Sequence, residues 1–156
     1  GLTLLPDCTI SDIAISEKSV LVLPGAGTWD DPRHGAVIEK AELLLSAGAT
    51  VCAICGATAA LANAGLLDQR LHTSNGLGYL EMYSPSYKGQ ECYVDKPSVA
   101  DRNLITAGST GSLLWAKQIF ERLEIFHPDT LDAWYHYFSS GQEQYFYALM
   151  QSLQAG

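Results

Sequence analysis

The chain has 156 residues, 47% of them apolar and 17% charged, which is typical of one globular domain with a sizeable core and excludes a disordered or collagen-like chain. Nine Lys and Arg against 17 Asp and Glu give a formal net charge of -8, and no basic patch is visible, so we expect no nucleic-acid partner. The sequence shows neither an apolar run of about 18 residues nor a secretory signal, and we therefore expect no membrane contact and a cytoplasmic location.

The first half of the chain predicts strands that alternate with helices. Residues 20–23 form an apolar run that predicts a strand buried on both faces, and residues 31–48 have the capping and spacing of an amphipathic helix. Residues 51–54 predict a second buried strand, which leads into a helix of small residues over 57–64. This alternation indicates a parallel sheet with right-handed crossover connections.

The second half adds one more strand and a series of helices. Residues 72–102 are rich in turn formers and predict loop with an edge hairpin, whereas 104–107 predict a strand, which is followed by a helix ending near Leu123. Beyond residue 127, apolar and aromatic residues recur at helical spacing and predict a helical hairpin. Residues 127–156 hold 7 of the 15 aromatic residues, so the hairpin must be covered by the rest of the domain or, as the alternative, by a second subunit.

The four cysteines are predicted to be free thiols, because a domain of this length does not need disulfides: Cys8, Cys52, Cys55 and Cys92. Cys52 and Cys55 form a C-x-x-C pattern, but Cys52 falls inside a predicted strand, and no second pair of ligands has zinc-site spacing. We therefore place Cys52 in the core and expect neither a metal nor a cofactor.

Cys55 is the candidate nucleophile. It occupies the turn between a buried strand and a helix, the geometry of a nucleophile elbow, where the helix dipole stabilises a thiolate. Gly56 has no side chain, so a substrate can approach a backbone N–H that would bind an oxyanion. From position alone, the alternative is that Cys55 is a small packed residue.

Two further features can complete this site. The turn Pro24-Gly25-Ala26-Gly27 lacks the phosphate-binding fingerprints, and it can instead offer the N–H of Gly25 or Ala26 as the second arm of an oxyanion hole; the alternative is an ordinary tight turn. Among the histidines, His72 is the candidate base, and its alternative is a solvated or capping histidine.

Taken together, several short motifs resemble the ThiJ/PfpI family of the class I glutamine-amidotransferase-like superfamily. These motifs are Val20-Leu-Val-Leu-Pro-Gly, Ala53-Ile-Cys-Gly-Ala-Thr, His72-Thr-Ser-Asn and Asn103-Leu-Ile-Thr-Ala-Gly. The likeness runs to the helix ending near Leu123, and the aromatic tail is similar to an extension in a bacterial subgroup described as intracellular proteases or amidases. The resemblance implies a flavodoxin-like α/β three-layer sandwich over residues 1–126, with 127–156 as a C-terminal helical extension of the same domain.

The resemblance also implies roles for individual residues. Cys55 would be the reactive elbow residue, and backbone amides near Gly25 and Gly56 would form the oxyanion hole. In protease-like members a histidine directly follows the nucleophile, but here that position is Gly56, and the position of another family histidine falls on Ser74 or Asn75.

A second departure concerns the start of the chain. Family members begin with a βα unit whose first strand ends in a Glu that hydrogen-bonds the cysteine, and nothing here replaces that Glu. We hypothesise that about 40 to 50 residues of the complete domain are missing, by usual element lengths. Such a gap would leave an open slot beside residues 20–23, to be filled by an N-terminal segment or a second chain unless the sheet is reordered.

The leading hypothesis is a cysteine-dependent hydrolase-like enzyme of protease, amidase or deglycase/glyoxalase type, acting on a small-molecule or peptide substrate and forming a homodimer. Its alternative is a non-enzymatic thiol-based redox or stress-response protein, and a third reading is a binding module that uses its aromatic tail. Both thiol readings depend on Cys55 being accessible.

Overall fold

The computed structural model describes residues 1–154, and four strands and six α-helices lie in that part of the chain. The strands are β1 Val20–Leu23, β2 Thr50–Ile54, β3 Ser98–Asp101 and β4 Leu104–Ala107. The helices are α1 Gly35–Ser46, α2 Gly56–Asn63, α3 Tyr79–Tyr83, α4 Ser112–Arg122, α5 Pro128–Ser140 and α6 Glu143–Gln154. None of the described helices is long and apolar enough to cross a membrane.

The strands form a single sheet of order β1-β2-β4-β3. β2 pairs in parallel with β1 and β4, so Leu23 lies beside Ala53 and Ile54 beside Ala107, and β3 closes the sheet antiparallel to β4. The predicted strands and the edge hairpin are therefore confirmed. The predicted loop over 72–102 also contains α3, a helix too short for the periodic signal that identified the others.

The two faces of the sheet have separate cores, which gives the three layers of a flavodoxin-like α/β fold. Side chains of α1 and α2 pack with Val51, Ala53 and Leu104 on one face. Cys52 and Ile105 point to the other face, where they contact Ile119 of α4. This alternation follows from the two-residue period of a strand, and it confirms the expected fold class and the core position of Cys52.

Strand β1 differs from its prediction, because it is not buried on both faces. Leu23 is buried, but Val20 and Val22 expose 39% and 50% of their surfaces. Val22 pairs with Cys52 and therefore lies on the α4 face, while α4 packs against β3 and β4 at the far side of the sheet. As the edge strand, β1 is thus covered on its α1 face only.

The C-terminal helices form the expected hairpin, which reverses at Gly141 with a left-handed φ of 67°. Helix α5 packs against α4, where Lys117 lies 2.7 Å from the carboxylate of Asp132. The rings of Phe120 and Trp134 meet edge to face at the same contact, with centroids 5.7 Å apart. Residues 155–156 of the predicted extension lie outside the described residues.

Candidate functional site

Cys55 stands at the sharp turn between β2 and α2, with φ 59° and ψ -126°. A left-handed φ is strained for a side chain other than glycine, at a cost of roughly 1–3 kcal/mol, and it persists only where neighbouring contacts hold it. Here the N–H of Cys55 donates to the carbonyl of Ala107 (2.9 Å), and the carbonyl of Cys55 accepts from both the N–H and the hydroxyl of Thr58 (3.0 and 2.6 Å). Cys55 is partly exposed at the carboxyl end of the sheet.

The loop after β1 packs directly against this turn. A Cβ placed on Gly25 would lie 3.0 Å from the Cβ and 3.7 Å from the sulfur of Cys55, and a Cβ on Gly56 would overlap the carbonyl oxygen of Ala26. The indole N–H of Trp29 donates to the carbonyl of Pro24 (2.9 Å) and fixes the loop from its other side. Gly56 therefore permits a backbone-to-backbone approach that a larger residue would prevent, whereas a side chain at position 25 would press on Cys55.

The structure thus brings together the predicted oxyanion-hole residues and the predicted nucleophile. In the described part of the chain, the N–H groups of Gly25, Ala26, Gly56 and Ala57 donate to no protein oxygen. The last two are first-turn amides of α2, which carry the positive end of the helix dipole. These amides are free to bind an anion or a developing oxyanion beside Cys55.

Asn75, which was not among the predicted site residues, makes a side-chain contact with the sulfur. The amide Nδ2 of Asn75 donates to Cys55 Sγ at 3.4 Å, and its Oδ1 accepts the N–H of Ser109 at 2.9 Å. The second contact fixes the orientation of the amide, because a backbone N–H needs an oxygen as its acceptor. The neighbouring Ser74 hydroxyl lies 2.6 Å from the Thr58 hydroxyl, so this loop is anchored to the elbow.

His72, the candidate base, is not brought to Cys55. It is fully buried; Nδ1–H donates to the carbonyl of Arg70 and Nε2 accepts from the hydroxyl of Tyr87, both at 2.7 Å. Burial lowers the pKa of His72, which favours the neutral ring. Both ring nitrogens are occupied, so a core histidine describes His72 better than a general base.

A cleft of about 580 Å³ opens beside the elbow, and both Ala26 and Gly56 line it. Three aromatic residues also line it, Trp29, Tyr79 and Tyr83, and the two tyrosine rings are 4.7 Å apart. Burial raises the pKa of the Tyr79 phenol, and negative charge at Cys55 adds to this effect while the Asn75 amide opposes it. The phenol is therefore a neutral hydrogen-bond donor or acceptor at pH 7.

Among residues 1–154, no three His, Cys, Asp or Glu side chains lie closely enough together to hold a metal ion. Cys52, the other half of the C-x-x-C pattern, is fully buried, and burial raises the pKa of its thiol to about 12. Cys52 is therefore neither a metal ligand nor a reactive thiol in this fold.

Comparison with known proteins identifies the family. A sequence profile described as the DJ-1/PfpI family matches residues 1–122, more than three-quarters of the chain. The chain belongs to the DJ-1/PfpI family. The resemblance of its motifs to ThiJ/PfpI proteins is thereby confirmed.

Individual DJ-1/PfpI relatives agree with this assignment. The chain is 39% identical to a Bacillus subtilis protein named "Uncharacterized protease YoaZ", over 98% of this chain and 73% of YoaZ. It superposes with a TM-score of 0.94 and 40% identity on the crystal structure of a ThiJ/PfpI family protein from Bacillus anthracis, covering 97% of this chain and 72% of that one. A DJ-1 superfamily protein from Agrobacterium tumefaciens gives a TM-score of 0.78 at 27% identity, covering 90% of this chain and 74% of that one.

Proposed function

We propose that this DJ-1/PfpI protein is a cysteine-dependent hydrolase of protease or amidase type. The observation that carries the proposal is the elbow: Cys55 Sγ lies within reach of Asn75 Nδ2, beside four amide N–H groups that have no protein acceptor in the described chain. The name given to the YoaZ relative, an uncharacterized protease, supports the same class of reaction.

The reaction begins with the Cys55 thiolate, which forms an S–C bond to the carbonyl carbon of the substrate while the carbonyl π electrons move to oxygen. The free amides of Gly25, Ala26, Gly56 and Ala57 receive that oxyanion. The C–N bond then breaks and the leaving amine takes a proton from water in the open cleft. A second water hydrolyses the thioester and releases the thiolate.

Proton transfer in this mechanism depends on water. Among residues 1–154, no imidazole or carboxylate is hydrogen-bonded to Cys55 Sγ, and the donor there is the Asn75 amide. General acid–base assistance is worth about 10²–10⁴-fold in rate, so we expect slow turnover of unactivated peptides and faster turnover of substrates with good leaving groups.

The test is hydrolysis of fluorogenic peptide amides by the chain and by two cysteine variants. Cys55→Ser should lose turnover, whereas Cys8→Ser, at an exposed cysteine, should retain it. Urea denaturation of both variants checks that they fold. Full turnover in a folded Cys55→Ser chain would contradict the proposal.

The Asn75 contact also supports a second candidate, a thiol-based redox sensor, because an amide donor stabilises a thiolate without supplying a base. Hydrogen peroxide would oxidise the Cys55 thiolate to sulfenic acid, with one oxygen transferred to sulfur and hydroxide released. Peptide mass spectrometry after graded peroxide treatment should show this oxygen first at Cys55. Earlier oxidation of Cys8 would contradict it.

A further inference from the structure

The cleft next to the elbow has the lining of a pocket for a substrate side chain. Ala26 and Gly56, which meet at the elbow, line it together with Trp29, Tyr79 and Tyr83, whereas Cys55 itself is a neighbour of the cleft and does not line it. A substrate whose carbonyl carbon lies at the Cys55 sulfur would place one of its adjacent side chains at this cleft. The inference that follows therefore rests on the proposed function.

The electrostatics of the cleft favour a positive charge. Among the described residues that line it, Asp30 is the one with a charged side chain. The next residue, Asp31, is engaged by the Arg33 guanidinium at 2.6 Å, whereas Asp30 makes no ion pair within residues 1–154. Asp30 is therefore a carboxylate without a paired cation in the described chain, next to the aromatic residues that line the cleft.

Aromatic faces and a carboxylate together match one kind of side chain. Aromatic rings attract cations by their quadrupole, and a long aliphatic stem packs on the same surface, as Met82 and Pro85 would allow. A carboxylate-bearing side chain would gain neither contact and would be repelled by Asp30.

We propose that this cleft selects substrates with a basic side chain, lysine or arginine, adjacent to the carbonyl that Cys55 attacks. Tyr83 and Trp29 hold the stem and the cation, and Asp30 attracts the charge. Asp30 and Tyr83 are specificity-determining residues under this proposal, and neither takes part in the bond rearrangement.

The experiment compares lysine with norleucine, which has the same stem without the ammonium group. Acetyl-lysine methylamide and acetyl-norleucine methylamide are titrated into the Cys55→Ser chain, with amide NMR shifts at Gly27 and Asn63 as the readout. Both ligands are measured in the same buffer at the same pH. We expect the lysine ligand to bind about fivefold more tightly, as one exposed cation–π contact and one exposed charge pair would give.

Variants test each contribution separately. Asp30→Asn should reduce the preference to about twofold, while Asp95→Asn removes the same charge from an exposed position outside the cleft and should leave it unchanged. Tyr83→Leu should reduce the preference, and Tyr83→Phe, which keeps the ring, should preserve it. Equal or tighter binding of the norleucine ligand would overturn the proposal.

The two proposals fail in distinguishable ways. Turnover that depends on Cys55 but shows no lysine preference leaves the hydrolase in place and overturns the pocket. Lysine-selective binding without turnover of any peptide amide overturns the hydrolase and leaves the binding preference in place.

Discussion

Substitution of Asn75 is the sharpest probe of the elbow, because its amide donates to Cys55 Sγ over 3.4 Å while Ser109 fixes its orientation. In Asn75→Asp, a carboxylate oxygen would take the place of the donor and face the thiolate. Two negative charges 3.4 Å apart repel by about 1 kcal/mol at the dielectric constant of bulk water. At an effective dielectric constant of about 20 they repel by about 5 kcal/mol. Asn75 is exposed, so the lower figure applies.

The lost donor and about 1 kcal/mol of repulsion together predict about 25-fold slower alkylation of Cys55 by iodoacetamide at pH 7 in Asn75→Asp. Asn75→Ala removes the donor without adding a charge and should slow the reaction by about fivefold. Peptide mass spectrometry follows Cys55 and uses the exposed Cys8 in the same chain as the internal reference. In the unmodified chain Cys55 should react faster than Cys8.

A matched control is Gln142→Glu, which adds the same charge at the exposed turn between α5 and α6 and should leave the labelling ratio unchanged. The assay measures thiolate reactivity alone, so its outcome does not depend on a substrate. If Asn75→Asp labels at Cys55 as fast as the unmodified chain, the Asn75 contact does not stabilise the thiolate and the proposed activation is wrong.

Three further predictions concern the surroundings of the elbow. Gly56→Ala should cost about 1–3 kcal/mol in urea denaturation, because its Cβ would overlap the carbonyl of Ala26; an unchanged midpoint would contradict the close packing. Thr58→Val should cost about 1–3 kcal/mol by leaving the buried Ser74 hydroxyl without its partner, and a neutral effect would show that the hydroxyl pair is dispensable. Burial lowers the pKa of His72, so the unfolded chain binds more protons and stability should fall as the pH drops below about 6.5. Urea titrations at about pH 7.5 and about pH 5 should show a smaller loss in His72→Gln, and an equal loss would assign the pH dependence to other groups.

The fold was predictable from the sequence where periodicity and strand-end signals are strong. The apolar strands at 51–54 and 104–107 and the helices that follow them lie within a residue or two of their predicted bounds. Short α3 was missed because five residues give no periodic pattern, and its stability comes from packing of Leu80 in the core. The exposure of β1 could not be read from residues 20–23, since an apolar run does not reveal whether a helix covers both faces.

The positions of the elbow and of the loop beside it were predictable from the sequence, whereas the side-chain contact made with the Cys55 sulfur was not. The strand-to-helix turn at Cys55 and the two small residues Gly25 and Gly56 are local signals, and the structure brings them together. The contact between Asn75 and the sulfur joins residues 20 positions apart, and it depends on how the loop after His72 folds. His72 was the predicted base because histidine is a common general base. Its burial depends on the tertiary fold and cannot be read from the sequence.

The left-handed backbone at Cys55 has a practical consequence for preparing an inactive form of this protein. Serine or alanine at this position would keep the conformational penalty of a side chain at φ 59°, whereas glycine adopts that angle freely. Cys55→Gly should therefore lose the proposed hydrolase activity and have a higher free energy of unfolding than the parent chain. The proposed activity would then require cysteine at position 55, whereas stability would favour glycine. Retaining the sulfur atom would therefore lower the free energy of unfolding.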